Sequence, residues 1–185
     1  PDDAVPLLMD KSRFMYLIQE KYDVRIASFN SGRMHNAIPR DGKVTFAVPN
    51  AMKEDISVSL NIFAKDVEDE FHVTEKNIAF KLESAERTPV ITKEQSRKLI
   101  LALQAVDNGT YSMCQDEALA WMVETSSNVA SVTTTEDKIE IVASQRSNVM
   151  SNLTNMGNTI KALFQRAGAE VTQSDGYPAW KMNPN

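Results

Sequence analysis

Apolar residues recur at helical spacing in four stretches of the chain. In the second stretch the steps are four, three, four and four, at Ile56, Leu60, Phe63, Val67 and Phe71. Side chains at this spacing share one face of a helix. The pattern predicts four helices, at residues 7–22, 50–71, 92–108 and 147–168.

Other stretches alternate apolar and polar residues, which is typical of strands with one buried face. These stretches are residues 24–26, 44–48, 78–82 and 139–141, with more irregular extended segments at 36–39 and 128–132. Short polar links at 40–42 and 135–137 predict hairpin turns.

The order of elements repeats along the chain. Residues 7–85 and 92–173 each give helix, strand, strand, strand, helix, strand. This order predicts an α+β fold with two ferredoxin-like halves, in which one extended antiparallel sheet is backed by helices on one face. The other face of the sheet would stay open, and we expect a binding site there.

Composition narrows the class of protein. The chain has 185 residues, of which 42% are hydrophobic and 24% are charged, so it can form one domain with a core. Twenty Lys and Arg against 25 Asp and Glu give a net charge of -5, which disfavours nucleic acid as a partner. No apolar run approaches the roughly 20 residues of a membrane-spanning helix. We therefore expect a cytoplasmic protein that binds neither nucleic acid nor membrane.

Motifs of common enzymes are missing from the sequence, including His-Glu-x-x-His and Gly-x-Ser-x-Gly. Cys114 could act as a nucleophile with His35 or His72 as its base, but a lone cysteine is more often a small buried side chain. The acidic stretch 66–70 before His72 could suggest a metal, but its helical spacing favours a solvated face. We expect no catalytic residue and no metal site in this chain.

Several strings of residues resemble one family. Residues 30–40, Asn-Ser-Gly-Arg-Met-His-Asn-Ala-Ile-Pro-Arg, are similar to a segment of the aminoacyl-histidine (Xaa-His) dipeptidases, also called peptidase D. Val-Glu-Thr-Ser-Ser-Asn-Val at 123–129, Ser-Gln-Arg-Ser at 144–147 and Gly-Tyr-Pro-Ala-Trp at 176–180 resemble later segments in the same order. Ser31 and Ala130 stand where the family usually has glycine.

The resemblance implies that the whole chain is the lid, or dimerisation, domain of a two-zinc dipeptidase. The family's zinc ligands have no counterpart in this sequence, so both zinc ions would lie in a catalytic domain outside it. The parent enzyme would hydrolyse Xaa-His-type dipeptides as a homodimer, and the chain alone would be inactive. Tyr177 and Trp180 would mark the return to the catalytic domain.

Arg146 is the strongest candidate for binding substrate. Alternation along its strand turns Ile139 and Ile141 toward the helices and Arg146 onto the open face. A guanidinium beside a helix N-terminus is a good carboxylate receptor, and the resemblance implies that it holds the C-terminal carboxylate of the substrate. The alternative is a surface arginine paired with Glu140.

Asn36 and Asn128 are the other candidates for binding substrate. Their amides can both donate and accept hydrogen bonds, which suits a peptide backbone or an oxyanion, although either could instead satisfy its own backbone.

Two other classes of function stay open. One is a stand-alone ferredoxin-like module that binds a small anion at Arg146. The other is a structural dimerisation domain whose open face or edge strand pairs with a second copy, helped by an apolar patch around Val142.

Overall fold

A computed structural model of the chain describes residues 7–75 and 77–176, which form four helices and a five-stranded sheet. The helices are α1 Leu7–Gln19, α2 Lys53–Phe71, α3 Lys93–Ala105 and α4 Met150–Arg166. The strands are β1 Arg25–Ser31, β2 Gly42–Ala47, β3 Gly109–Met113, β4 Val123–Thr134 and β5 Ile139–Ser147. None of the helices in this part of the chain is long and apolar enough to span a bilayer.

The sheet is open and antiparallel, and it is organised around β4. Along one edge β4 pairs with β5, from Thr125 opposite Ser147 to Thr134 opposite Ile139. Along its other edge it pairs with β3 and, through Ser31 opposite Val132, with β1. β2 extends the sheet beyond β1. The predicted α+β class is confirmed.

The core lies between one face of the sheet and the helices. Two clusters of buried side chains fill this layer. The first joins the sheet to α3 and α4 and includes Phe29, Val129, Val132, Leu103, Met156, Ile160 and Phe164. The second joins β1 to α1 and α2 and includes Ile26, Phe14, Ile18, Ile56, Leu60, Phe63 and Val67. Each such side chain stabilises the fold by about 1.5–3 kcal/mol when it is fully buried.

The sequence Thr92-x-x-Gln95 predicts a capping box, and the N-terminus of α3 is capped in this way. The Thr92 hydroxyl accepts a hydrogen bond from the backbone N–H of Gln95, and the Gln95 side chain accepts one from the N–H of Thr92, both at 3.1 Å. One residue later, the buried Ser96 hydroxyl accepts a hydrogen bond from the Ile26 N–H at 2.9 Å. This bond from Ile26 to Ser96 holds the first turn of α3 against β1.

The predicted strand at 78–82 does not form. Residues 77–91 contain no strand, although Ile78 and Phe80 still pack against the second core cluster. The Phe80 ring meets the Phe63 ring edge-on, with centroids 5.5 Å apart. The alternation in this segment therefore reflects side chains packing on α2 and not backbone pairing.

Other boundaries also differ from those predicted. Residues 36–39 form part of a turn and loop, and no strand follows α4 within residues 167–176. The segment 128–132 belongs to the 12-residue β4. The short strand β3 is absent from the predicted strands, and its alternating apolar side chains, Tyr111 and Met113, are exposed and do not face the core. As a result, neither half of the chain ends in the strand that the repeat predicts.

Candidate functional site

Arg146 lies near the end of β5, on the face of the sheet that points away from the helices. On this strand Ile139, Ile141 and Ala143 pack against the core, while Arg146 is exposed. Arg146 stands directly opposite Ser126 of β4, and residues paired across strands project from the same face. This is the orientation that the alternation predicts.

The Arg146 guanidinium has no ion-pair or hydrogen-bond partner among residues 7–75 and 77–176. The alternative pairing with Glu140 is not found, since the Glu140 carboxylate contacts the Lys138 ammonium at 2.7 Å. The positive charge of Arg146 is therefore available to an anion.

The helix N-terminus is farther from Arg146 than the sequence suggested. β5 continues to Ser147, and α4 begins only at Met150. The Ser147 hydroxyl accepts a hydrogen bond from the Val149 N–H at 3.0 Å and lies 2.8 Å from the Thr125 hydroxyl. The prediction that α4 starts at Ser147, immediately beside Arg146, is wrong, because strand pairing with β4 extends through that residue.

Asn128 lies on the same face as Arg146. It stands opposite Ser144, two residues before Arg146 on β5. Such diagonal neighbours in a sheet are about 7–8 Å apart. The Asn128 side-chain Nδ2 donates a hydrogen bond to the carbonyl of Ala37 at 3.0 Å. This bond holds the loop between β1 and β2 over the open face.

The loop at residues 32–41, here called the β1–β2 loop, carries Asn36. Its base is closed by the Ser31 hydroxyl, which donates a hydrogen bond to the carbonyl of Asp41 at 2.6 Å. The Asn36 side chain is exposed and makes no hydrogen bond to the part of the chain that the structure describes. Asn36 directly precedes Ala37, so the fold brings Asn36, Asn128 and Arg146 to one side of the sheet.

Glycine is required at one position of this loop. Gly32 has a φ of +76°, and a Cβ added there would lie 2.0 Å from the carbonyl oxygen of Ala130. Ser31 and Ala130, at the positions where the resemblance implies glycine, need no such freedom, because positive φ among the described residues occurs only at glycines. Both side chains are buried, Ala130 completely. The two replacements therefore fit the backbone.

The open face is lined by small polar side chains. The sheet register assigns to it Ser28, Asn30, Lys43, Thr45, Ser126, Ser131, Thr133 and Ser144. Val142 stands opposite Ser131, between Glu140 and Ser144 on its own strand. The apolar patch around Val142 that would favour a dimer through this face is therefore not present.

The weaker candidates lie apart in the fold. Cys114 is buried just after β3, and its sulfur accepts a hydrogen bond from the Asn148 side chain at 3.6 Å. His72 follows α2, where its Nδ1 lies 2.6 Å from the carbonyl of Asp69. His35 lies in the β1–β2 loop. Tyr177 and Trp180 lie outside the described residues.

The described residues do not fit a zinc site. Within residues 7–75 and 77–176, no three His, Cys, Asp or Glu side chains converge on a point where they could hold a metal ion.

Comparison with known proteins gave matches to dipeptidases. No protein-family model matches the chain. It is 33% identical over 176 residues to the cytosol non-specific dipeptidase of Escherichia coli K12, a match that covers 94% of this chain and 36% of that protein. Its fold matches the crystal structure of aminoacylhistidine dipeptidase from Vibrio alginolyticus with a TM-score of 0.88 and 28% identity, over 96% of this chain and 36% of that one. The chain thus spans about a third of these relatives, and the matches confirm the resemblance.

Proposed function

We propose that this chain, which is homologous to one region of the aminoacyl-histidine dipeptidases, is the lid and dimerisation domain of a zinc-dependent dipeptidase that hydrolyses Xaa-His-type dipeptides. The catalytic domain, with two zinc ions, would come from outside this sequence. Closing the lid over that domain would exclude water and add contacts to the substrate. The name of the Escherichia coli relative supports a cytosolic location.

In this proposal Arg146 binds the C-terminal carboxylate of the dipeptide. The observation that carries the assignment is the exposed guanidinium on the open face, which has no partner in the described part of the chain. Arginine can donate two parallel hydrogen bonds to a carboxylate. Since no internal ion pair must first be broken, binding is not opposed by that cost, and we take the whole contact to be worth about 1.5–3 kcal/mol.

Asn36 would contact the peptide group of the substrate. Its exposed amide has both a donor and an acceptor to offer, so it can bind a carbonyl oxygen or the oxyanion that forms during hydrolysis. Its loop lies on the same side of the sheet as Arg146. A dipeptide held at its carboxylate by Arg146 would therefore extend toward the β1–β2 loop.

A chimera tests this function. The matching region of the Escherichia coli dipeptidase is replaced by this chain, and hydrolysis of an Xaa-His dipeptide is measured with zinc present. We expect the chimera to be active and the isolated chain to be inactive under the same conditions. Hydrolysis by the pure chain would contradict the proposal, and so would a chimera that is folded and zinc-loaded but inactive on dipeptides.

The domain would also pair two subunits. Large apolar side chains are exposed on β3, in the segment after it and at the start of β4. They are Tyr111, Met113, Trp121 and Val123, and Trp121 is 75% exposed. Sizing chromatography of the chain should give a dimer, and Trp121→Glu should shift it toward monomer. Val58→Glu, at an exposed apolar position on α2, is the matched control; a monomeric starting protein would contradict dimerisation.

The free guanidinium also suits the second candidate, a stand-alone module that binds a small anion. The two functions differ in what the isolated chain binds. Titration of the chain with N-acetylhistidine, followed by NMR, should give at most millimolar affinity if the site is completed by a catalytic domain. Micromolar binding by the chain alone would favour the module.

A further inference from the structure

We infer that Asn128 is a positioning residue: its side chain holds the β1–β2 loop so that Asn36 is presented beside Arg146. The predicted effect of Asn128 on catalysis rests on the proposed function. Its predicted effect on the β1–β2 loop does not, and can be tested on this chain alone. Asn128 thus has a different role from the direct substrate contact that the sequence suggested.

The β1–β2 loop is longer than most hairpin connections. It spans residues 32–41, whereas connections between paired strands usually have about two to five residues. A loop of this length needs contacts beyond its two ends to hold one conformation. At its two ends the loop is closed by the Ser31 hydrogen bond to Asp41, the Arg33–Asp41 ion pair at 3.7 Å and the close approach of Gly32 to Ala130.

Asn128 provides the contact at the far end of the loop. The sequence separation between Asn128 and Ala37 is 91 residues, and their hydrogen bond measures 3.0 Å. Among residues 7–75 and 77–176, no other side-chain hydrogen bond joins the sheet to residues 33–40. Within the loop, Ala37 N–H also donates to the carbonyl of Met34 at 3.4 Å. Both backbone polar groups of Ala37, the residue after Asn36, therefore have hydrogen-bond partners.

The strand that carries Asn128 is itself firmly held. Asn128 pairs with Ser144 of β5 along one edge of β4. On the other edge, the Asn108 side chain accepts a hydrogen bond from the Val129 N–H at 2.8 Å. Val129 is 1% exposed in the core. Asn128 therefore lies on a firmly held strand, from which its side chain can hold the β1–β2 loop in place.

The hydrogen bond also argues against a direct contact between the Asn128 amide and substrate. One of its two amide N–H groups donates to the Ala37 carbonyl, so turning the amide toward a substrate would break a bond worth about 1 kcal/mol. The Asn36 amide has no such bond to the described chain. The two asparagines therefore have different roles, one that binds and one that positions the other.

The structural part is tested by hydrogen exchange and ¹⁵N relaxation on this chain. Asn128→Ala should speed amide exchange and increase fast motion at residues 33–38, with protection of the core strands unchanged. Asn30→Ala is the matched control: it removes another asparagine link, from the Thr134 N–H to Asn30 Oδ1 at 2.9 Å, and should leave residues 33–38 unaffected. Loop exchange that is the same in Asn128→Ala as in the original chain would overturn the inference.

The functional part is tested by a double-mutant cycle in the chimera. Asn36→Ala and Asn128→Ala should each lower kcat/KM about tenfold, the effect of one lost hydrogen bond, and the double variant should be no worse than Asn36→Ala. Additive losses would mean that Asn128 contacts substrate itself. A chimera without activity would instead count against the proposed function, and the exchange experiment would still decide whether Asn128 holds the loop.

Discussion

Arg13 of α1 and Glu70 of α2 form a two-bond ion pair, in which each terminal guanidinium nitrogen donates to a different carboxylate oxygen at 2.8 Å. The Arg13 guanidinium also lies 5.4 Å from the centre of the Phe63 ring. The hydrogen bond from Arg13 lowers the pKa of the Glu70 carboxyl from its ordinary value. The pair links two helices over the second core cluster.

Removing this pair should weaken the fold only modestly. Both side chains are about two-fifths exposed, at 39% and 44%, so water and salt screen their attraction. Glu70→Gln should lower the free energy of unfolding by less than about 1 kcal/mol at pH 7. The loss should shrink in high salt and as the pH falls through the depressed pKa of Glu70. Urea unfolding measures it, with the exposed Glu68→Gln as control.

Arg146→Ala should impair binding of substrate without weakening the fold. In the chimera, losing the carboxylate contact should raise KM for an Xaa-His dipeptide about 10- to 100-fold, as expected for charged hydrogen bonds worth about 1.5–3 kcal/mol. Arg146→Lys should recover only part of the affinity, since lysine lacks the two-pronged geometry.

The control for this variant is Arg166→Ala. Arg166 is also exposed but lies at the end of α4, on the helix side of the sheet. Equal KM values for the two alanine variants would rule out Arg146 as the carboxylate anchor. The melting temperature of the Arg146→Ala chain should match that of the original, because the side chain makes no internal ion pair in the described structure.

Asp10 should make stability depend on pH. Its side chain is only 6% exposed, and Oδ2 finds no hydrogen-bond partner within the described residues. Burial raises its pKa from 3.8 to about 6, an effect that nearby Arg13 partly offsets. Because the folded state favours the protonated acid, stability is fully present below pH 4 and is lost as pH rises through about 6.

Asp10→Asn should therefore stabilise the chain at pH 7, by at most about 2–3 kcal/mol. At pH 4 the difference between variant and original should be small. Thermal unfolding at several pH values measures this, and Asp137→Asn, at an exposed turn position, should leave the pH profile unchanged. A variant with the same slope between pH 4 and 6 as the original would contradict the role of Asp10.

Gly32→Ala should lower the free energy of unfolding more than Gly168→Ala does, although both glycines have a positive φ. Gly168 also has a positive φ, +87°, but an added Cβ there would meet no atom within 4 Å. Gly168→Ala should therefore cost only the conformational penalty, about 1 kcal/mol. Gly32→Ala should cost more, about 2–4 kcal/mol, because the Ala130 carbonyl must also move. Chemical denaturation measures the loss of stability in both variants. Equal losses would show that the Ala130 carbonyl moves aside at no cost in free energy.

The features that could be predicted from the sequence depend on near neighbours in the chain. The direction of the Arg146 side chain follows from the alternation of Ile139 and Ile141, because successive side chains of a strand must point to opposite faces. The capping of α3 follows from Thr92 and Gln95 for a similar reason. Both predictions use only spacing along one element.

The features that were missed depend on distant contacts. Alternation at Ile78 and Phe80 arises from packing on α2, and a pattern of apolar residues does not distinguish such packing from strand pairing. The hydrogen bond from Asn128 to Ala37 joins positions that nothing in one sequence connects. Gly32 signals only a tight turn at the start of the loop, where the backbone approaches Ala130.

The link from Asn128 to Ala37 has a consequence for how this surface could have arisen. The part of the chain before α3 contributes the β1–β2 loop, and the part after α3 contributes the strands β4 and β5 that lie beneath it. A fragment that ended before residue 92 would retain Asn36 but lose Arg146, and the remaining fragment would retain the reverse. Recombination that exchanged only one of these fragments would separate the two groups that the proposed function brings to one ligand, so that function would require both fragments to be inherited together.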